Sequence, residues 1–248
     1  MNSMPVCIVT GGSLGIGLAV CRTFSQAGYR VFNLDITAPA DSEAGCNWQQ
    51  CDVANVNQME MTIHSIYQQT GRLDVLVSNA GVHCSATIEQ TSEAQLDSIF
   101  AINVKGAYAA IRGVLPAMCA ANNGAIILMA SDQALIAKHN SFAYNLSKSA
   151  LASMAKTTAL DYAKYNIRVN AVCPGTIETP LFHQAIAKYV AQSGRDIDEV
   201  HQEEAAQQPL GRLGQPQEVA DLCYFLASDK AKFITGSLQL IDGGYTAQ

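Results

Sequence analysis

Short apolar runs alternate along the chain with longer stretches in which apolar positions recur every three to four residues. The short runs predict strands at Val6–Thr10, Arg30–Asp35, Asn47–Cys51, Leu73–Val77, Ala125–Met129, Arg168–Val172 and Leu238–Ile241. Several are apolar at nearly every position, as parallel strands covered on both faces must be. The longer patterns predict helices near Ile16–Ala27, Val56–Thr70, Glu93–Cys119, Phe142–Tyr165 and Gln217–Ala227. Strand–helix alternation of this kind builds right-handed crossover units. The expected fold is α/β: one doubly wound parallel sheet of about seven strands with helices on both faces. No repeat or linker divides residues 1–248, so a single domain is expected.

One segment breaks the alternation. Thr179–Pro209 is rich in charges and glutamines, and its helical patches are interrupted around Ser193-Gly194-Arg195-Asp196. An insertion beyond the C-terminal end of a strand is placed to cover a ligand. It reads as a lid over residues 179–209, with a plain surface excursion as the competing reading.

Composition narrows the setting. Of 248 residues, 49% are hydrophobic and 15% charged, which is a globular balance and not a disordered one. A net charge of −6 gives no general attraction to nucleic acid or anionic membrane. No apolar run approaches the roughly 18–20 residues that span a bilayer. The opening Met1-Asn2-Ser3-Met4-Pro5 has no basic region, and the four apolar residues after it are too few for a secretory signal. Eight cysteines lie without a CxxC pair, mostly in apolar patterns, so reduced thiols and a cytoplasmic location are expected. Cys46 and Cys51 have no second ligand pair nearby. His64, His83, His139, His183 and His201 show no metal-ligand spacing, and no metal is expected.

The first strand runs into Thr10-Gly11-Gly12-Ser13-Leu14-Gly15-Ile16-Gly17 and then a helix. Glycines allow the tight turn and the close approach of a phosphate. Free N–H groups at the helix start then favour a negative pyrophosphate. The GxxxGxG spacing differs from the more familiar GxGxxG. Asp35 ends the second strand, where a carboxylate can accept from the adenosine ribose hydroxyls. It would repel a 2′-phosphate by several kcal/mol at about 4 Å and an effective dielectric of about 20. Leu14 and Ile36 supply no offsetting positive charge, so NAD is expected over NADP.

Tyr144 and Lys148 are four apart in a helical pattern, which puts them one turn apart on one face. A free phenol, with a pKa near about 10, is a poor base at neutral pH. A nearby ammonium would stabilise phenolate, and Tyr144 could then exchange a proton with an alcohol or carbonyl. The pair alone is a weak signal. Ser131 strengthens it, because it follows an apolar strand and stands at the sheet edge that faces the ligand crevice.

Together, Thr10-Gly11-x-x-x-Gly15-Ile16-Gly17, Asn79-Ala80-Gly81, Asn103, Ser131, Tyr144-x-x-x-Lys148 and Pro174-Gly175-x-Ile177-x-Thr179 resemble the short-chain dehydrogenase/reductase family. The resemblance covers essentially the whole chain, ending at Thr235-Gly236 and Asp242-Gly243-Gly244. It implies a Rossmann-like sheet and hydride transfer to or from a nicotinamide. In that pattern Ser131 polarises the substrate oxygen and Tyr144 is the acid/base. Lys148 lowers the Tyr144 pKa and holds the nicotinamide ribose, while Asn103 holds a relay water. Gly11, Ser13, Leu14, Gly15, Ile16 and Gly17 would form the phosphate turn, with Asp35 and Ile36 at the ribose. Asp52 and Val53 would contact adenine, and Asn79, Ala80 and Gly81 the adenosine side. Pro174, Gly175, Ile177 and Thr179 would hold the nicotinamide. Ser78 departs from the second Asn common in the family. A homo-oligomer, commonly a tetramer, is implied, and Ala152, Met154, Ala155 and Ala159 offer a second helix face for it.

The substrate is a small molecule, with His83, Gln133, Ser141 and His183 as candidate contacts beside Ser131 and Tyr144. Polar Asp132-Gln133 after Ser131 suggests a sugar or polyol; Gln133 bonded to backbone is the competing reading. Two alternative functions remain: an NADPH-dependent 3-oxoacyl-carrier-protein reductase, and a non-catalytic nucleotide-binding or scaffold protein.

Overall fold

A computed structural model of the chain describes residues 4–40 and 45–248. The Met1–Ser3 residues read above for a leader lie outside them. Among the described residues, seven strands form one parallel sheet: β1 (Val6–Thr10), β2 (Arg30–Asp35), β3 (Cys46–Gln50), β4 (Val75–Ser78), β5 (Gly124–Met129), β6 (Ile167–Pro174) and β7 (Leu238–Ile241). Their spatial order is β3-β2-β1-β4-β5-β6-β7. The chain winds outward from β1 to one edge and then from β4 to the other. A crevice therefore opens between the ends of β1 and β4, the place where such sheets bind ligands.

Strand alternation divides the core into two layers. Val6, Ile8, Ile126 and Leu128 face one side; Cys7, Val9, Ile127 and Met129 face the other. The first layer is closed by α2 (Val56–Thr70), α4 (Gly106–Ala121) and α5 (Phe142–Tyr162), through residues such as Ile63, Val114 and Leu151. The second is closed by α1 (Gly15–Gln26) and α8 (Pro216–Ala227), through Phe24, Val219 and Leu226.

The sequence expectations differ from this fold in a few places. β4 starts at Val75, not Leu73, because the Asp74 carboxylate accepts the Val6 N–H at 2.7 Å and pairs with Arg72 just ahead of the strand. The expected helix over Glu93–Cys119 is α3 (Glu93–Ile99) and α4 joined by a π-turn at Phe100–Lys105. A widened turn leaves the apolar period nearly intact, so the pattern does not reveal it. The lid forms two helices, α6 (Pro180–Ser193) and α7 (Ile197–Ala206). Gly194 ends α6 in the left-handed region at φ +71°, and the Asp196 carboxylate caps α7 by accepting from the Asp198 and Glu199 N–H groups.

Candidate active site

A cavity of about 660 Å³ lies at the C-terminal ends of the strands. At one end it is lined by Gly11, Leu14, Gly15, Ile16, Asp35 and Ile36, then by Asp52, Val53, Asn79, Ala80 and Gly81. Ser131, Tyr144 and Lys148 stand at its middle, beside Pro174, Gly175, Ile177 and Thr179. His83, Gln133 and Ser141 line it beyond Tyr144, and α6 covers it with Leu181, Phe182 and Gln184.

The nucleotide end is built by backbone tethering. Thr10 Oγ1 accepts from the Asn79 and Ala80 N–H groups, and Asn79 Nδ2 donates to the Gly11 carbonyl at 2.8 Å. Gly17 does not line the cavity; a Cβ there would collide with the Gly11 carbonyl and the Asn79 amide. Its part is to let α1 approach the turn. Ser13 also faces away: its hydroxyl donates to the Thr37 carbonyl at 2.5 Å and accepts from Asn33 Nδ2. Its backbone N–H donates to Asp35 Oδ2 at 3.1 Å, and the Thr37 N–H donates to Oδ1, so Asp35 is held at the cavity wall.

The start of α1 is unlike those of α2, α3, α6 and α7, which are capped by Asn55, Ser92, Thr179 and Asp196. Leu14 offers α1 no capping oxygen, and its first turn holds no acid. Those N–H groups and the helix dipole thus suit an external anion such as a pyrophosphate. With the Asp35 carboxylate beside it, this end fits an adenine dinucleotide.

At the middle, Tyr144 and Lys148 share one face of α5. Burial pushes the Tyr144 phenol up to about 12, with the Ser131 hydroxyl pulling it down and Asp132 pushing it further up. Lys148 is not among the groups that set this shift. The buried ammonium donates to the Met129 carbonyl at 2.7 Å, and burial pushes it down to about 8. Each charge is starved of water, so desolvation outweighs their mutual help.

Ser131 Oγ donates to Asp132 Oδ1 at 2.7 Å and accepts from the Gln133 N–H. Asp132 is buried and pairs with Lys138 Nζ at 2.9 Å, whose ammonium lies over the Tyr245 ring. Gln133 takes up a side-chain bond that neither sequence reading foresaw: its Oε1 accepts from Ser141 Oγ at 2.5 Å. The His83 ring packs edge-on against Tyr144, 4.8 Å between centroids, and burial lowers its pKa, so it stays neutral at neutral pH.

Besides Ser13 and Gly17, two more expected site residues lie off the cavity. Asn103 is buried in the π-turn, where Nδ2 donates to the Val82 carbonyl and Ser147 Oγ and Oδ1 accepts the Val82 N–H. Its side chain fastens the loop after β4 to α5. His183 points outward, toward Glu178 and His201. Conversely, Lys138, His139 and Asn140 line the cavity without having been singled out. Their position between Ser131 and Tyr144 is the signal that could have found them. Expecting no metal rested on spacing along the chain, yet the fold gathers Glu178, His183 and His201.

Residues 11–246 match the family model described as enoyl-(acyl carrier protein) reductase, of the short-chain type. The chain is 35% identical to the cyclopentanol dehydrogenase of Comamonas testosteroni, over 98% of this chain and 97% of that one. It is 36% identical to the 2-(R)-hydroxypropyl-CoM dehydrogenase of Xanthobacter autotrophicus, over 98% of each. The ligand-free aldohexose dehydrogenase of Thermoplasma acidophilum superimposes with a TM-score of 0.94 at 37% identity, covering 99% of this chain and 95% of that one.

Proposed function

This chain belongs to the short-chain dehydrogenase/reductase family, and from that premise we propose that it is an NAD-dependent dehydrogenase of a secondary alcohol on a small polyhydroxylated molecule. One observation carries the reading: Asp35, Ser131, Tyr144 and Lys148 line a single cavity whose far end is polar. Bound NAD would supply the hydride acceptor; the protein supplies orientation and proton transfer. Gly15 and Ile16 at the α1 start would hold the pyrophosphate, Asp35 the adenosine ribose, and Lys148 the nicotinamide ribose.

Ser131 receives the substrate oxygen beside the Tyr144 phenol. The phenol must give up its proton to act as base. Even with the Ser131 hydrogen bond in place, bringing a pKa of about 12 to neutrality takes about 7 kcal/mol at about 1.4 kcal/mol per unit. Positive charge must therefore come close to the phenol oxygen during turnover. Neutral His83 and Gln133 are placed to bind further hydroxyls, which favours a sugar or polyol over a cyclic hydrocarbon alcohol.

A 3-oxoacyl-carrier-protein reductase using NADPH is disfavoured by the Asp35 carboxylate at the ribose position. A scaffold role leaves Ser131, Tyr144 and Lys148 together in one cavity without purpose. A homotetramer in the cytoplasm completes the proposal. Leu160 on α5 is 81% exposed and Leu240 on edge strand β7 is 43% exposed, both apolar surfaces that pairing would cover. Among the described residues the eight cysteines are free, and no helix is long and apolar enough to cross a membrane.

The deciding experiment is a screen of aldoses, polyols and simple secondary alcohols with NAD and NADP, followed by reduced-cofactor absorbance. Turnover of a polyhydroxylated substrate with NAD is expected. Activity confined to 3-oxoacyl thioesters with NADPH would overturn the reading.

A further inference from the structure

Glu178, His183 and His201 converge on the outer side of the lid from three separate elements. Glu178 lies in the loop after β6, His183 in the first turn of α6, and His201 within α7. One ligand atom from each lies within 4.8 Å of the others. His183 Nε2 stands 4.0 Å from Glu178 Oε1, and the two imidazoles stack with centroids 5.5 Å apart and planes at 20°. Phe182 packs edge-on against both rings. The carboxylate is held from behind, because Glu178 Oε2 accepts from Gln215 Nε2 at 2.8 Å and its backbone N–H donates to the Gly214 carbonyl. None of the three lines the cavity around Tyr144, so the proposed reaction leaves them unused.

The geometry points to a divalent transition-metal site of two imidazoles and one carboxylate, which staples both lid helices to the end of β6. This donor set suits zinc, with bonds of about 2.0–2.2 Å and ligand atoms about 3.4 Å apart in a tetrahedron. Closing from the present spacing takes up to about 1.4 Å, within reach of side-chain rotation at His183, whose side chain is 52% exposed. A cleft of about 520 Å³ beside Glu178 and His201 leaves room for water as the fourth ligand. Arg212 on its wall does not oppose a cation, because its guanidinium is held by both Glu218 oxygens at 2.7 and 2.8 Å.

The consequence lies in the lid. α6 brings Leu181, Phe182 and Gln184 to the cavity and α7 brings Glu204. A metal joining the two helices fixes these groups together and slows the opening that releases product. The inference stands on the donor geometry and holds whatever the substrate.

Calorimetric titration of the chelator-treated protein with zinc chloride, in a buffer that does not bind zinc, tests it. One equivalent per chain is expected, with a Kd in the micromolar range or tighter and a rise in Tm. His183→Ala, at an exposed position, and His201→Gln should each weaken binding at least about tenfold. His64→Ala, on α2, should leave it unchanged. Absence of binding by the folded wild type overturns the site. So does undiminished binding by both histidine variants, which would move the zinc to other donors such as the Cys46 thiol.

Discussion

The Lys148 ammonium stands 5.4 Å from the centre of the Tyr144 ring, and burial drives the two groups apart in pKa. Lys148 falls to about 8 from an ordinary 10.5, and Tyr144 rises to about 12 from an ordinary 10. Each shift favours the neutral form. On the proposed mechanism, the pair would exchange protons only when outside charge enters the site.

Stability should report this directly. Below about pH 8 Lys148 is charged in both the folded and the unfolded chain, and its burial penalty is fully present. From there to pH 10.5 the unfolded chain binds more protons, so stability rises with pH, by about 3 kcal/mol in all. Tyr144 acts oppositely: between pH 10 and 12 the folded chain holds the extra proton, and stability falls. Lys148→Met removes the first effect and keeps the second. Urea unfolding at pH 7 and pH 10 should show the wild type gaining roughly 2–3 kcal/mol on the variant. Parallel pH profiles for the two proteins would mean that Lys148 is not desolvated.

Tyr144→Phe keeps the ring against His83 and removes only the phenol oxygen, the proposed proton carrier. The kcat/KM should fall by about 10²–10⁴, the usual worth of a positioned acid/base. NAD affinity, read by quenching of protein fluorescence, should change less than about threefold if the phenol oxygen serves proton transfer alone. Retention of turnover within a few-fold of wild type would end the assigned mechanism.

Asp35 is held by the Ser13 and Thr37 N–H groups with its carboxylate at the cavity wall. If the adenosine ribose lies here as proposed, the double change Asp35→Ser with Ile36→Arg replaces repulsion of a 2′-phosphate by attraction. The ratio of kcat/KM for NAD over NADP should drop by about 10²–10³, the equivalent of about 3–4 kcal/mol. Initial rates with each cofactor decide it. An unchanged ratio would show that the adenosine ribose lies elsewhere.

Period and composition made the sheet legible. β1 and β2 have the bounds that their apolar runs predict, since both are covered on two faces and Asn33 is the one polar residue inside them. The turn from Gly11 to Gly17 was legible because its glycines mark a tight turn and a close helix contact. What remained hidden arises from partners far apart in the chain. Asn103 looks like any polar residue in a helix until Val82 and Ser147 come to meet it. Ser13 and Gly17 share a motif with Gly15, yet face the protein interior. His183 and His201 have no common spacing, and only the break at Gly194 folds α7 back beside α6. The burial of Lys148 and Tyr144 was hidden too, because a sequence shows charges and not the depth at which they lie.

Depth also governs the Asp132–Lys138 pair. The Asp132 side chain is 2% exposed and that of Lys138 25%, at a separation of 2.9 Å. Removing the lysine as Lys138→Met strands a buried carboxylate, which should cost about 3–5 kcal/mol in urea unfolding at pH 7. Asp132→Asn in the same chain removes the stranded charge and should recover much of that loss. Ser131 Oγ donates to Asp132 Oδ1, so the hydroxyl is aimed by this carboxylate. Asp132→Asn leaves Ser131 only a neutral amide acceptor, so the double variant should regain stability while its kcat stays below wild type. Recovery of both together would separate Ser131 from Asp132; recovery of neither would show that Lys138 acts through the Tyr245 ring instead.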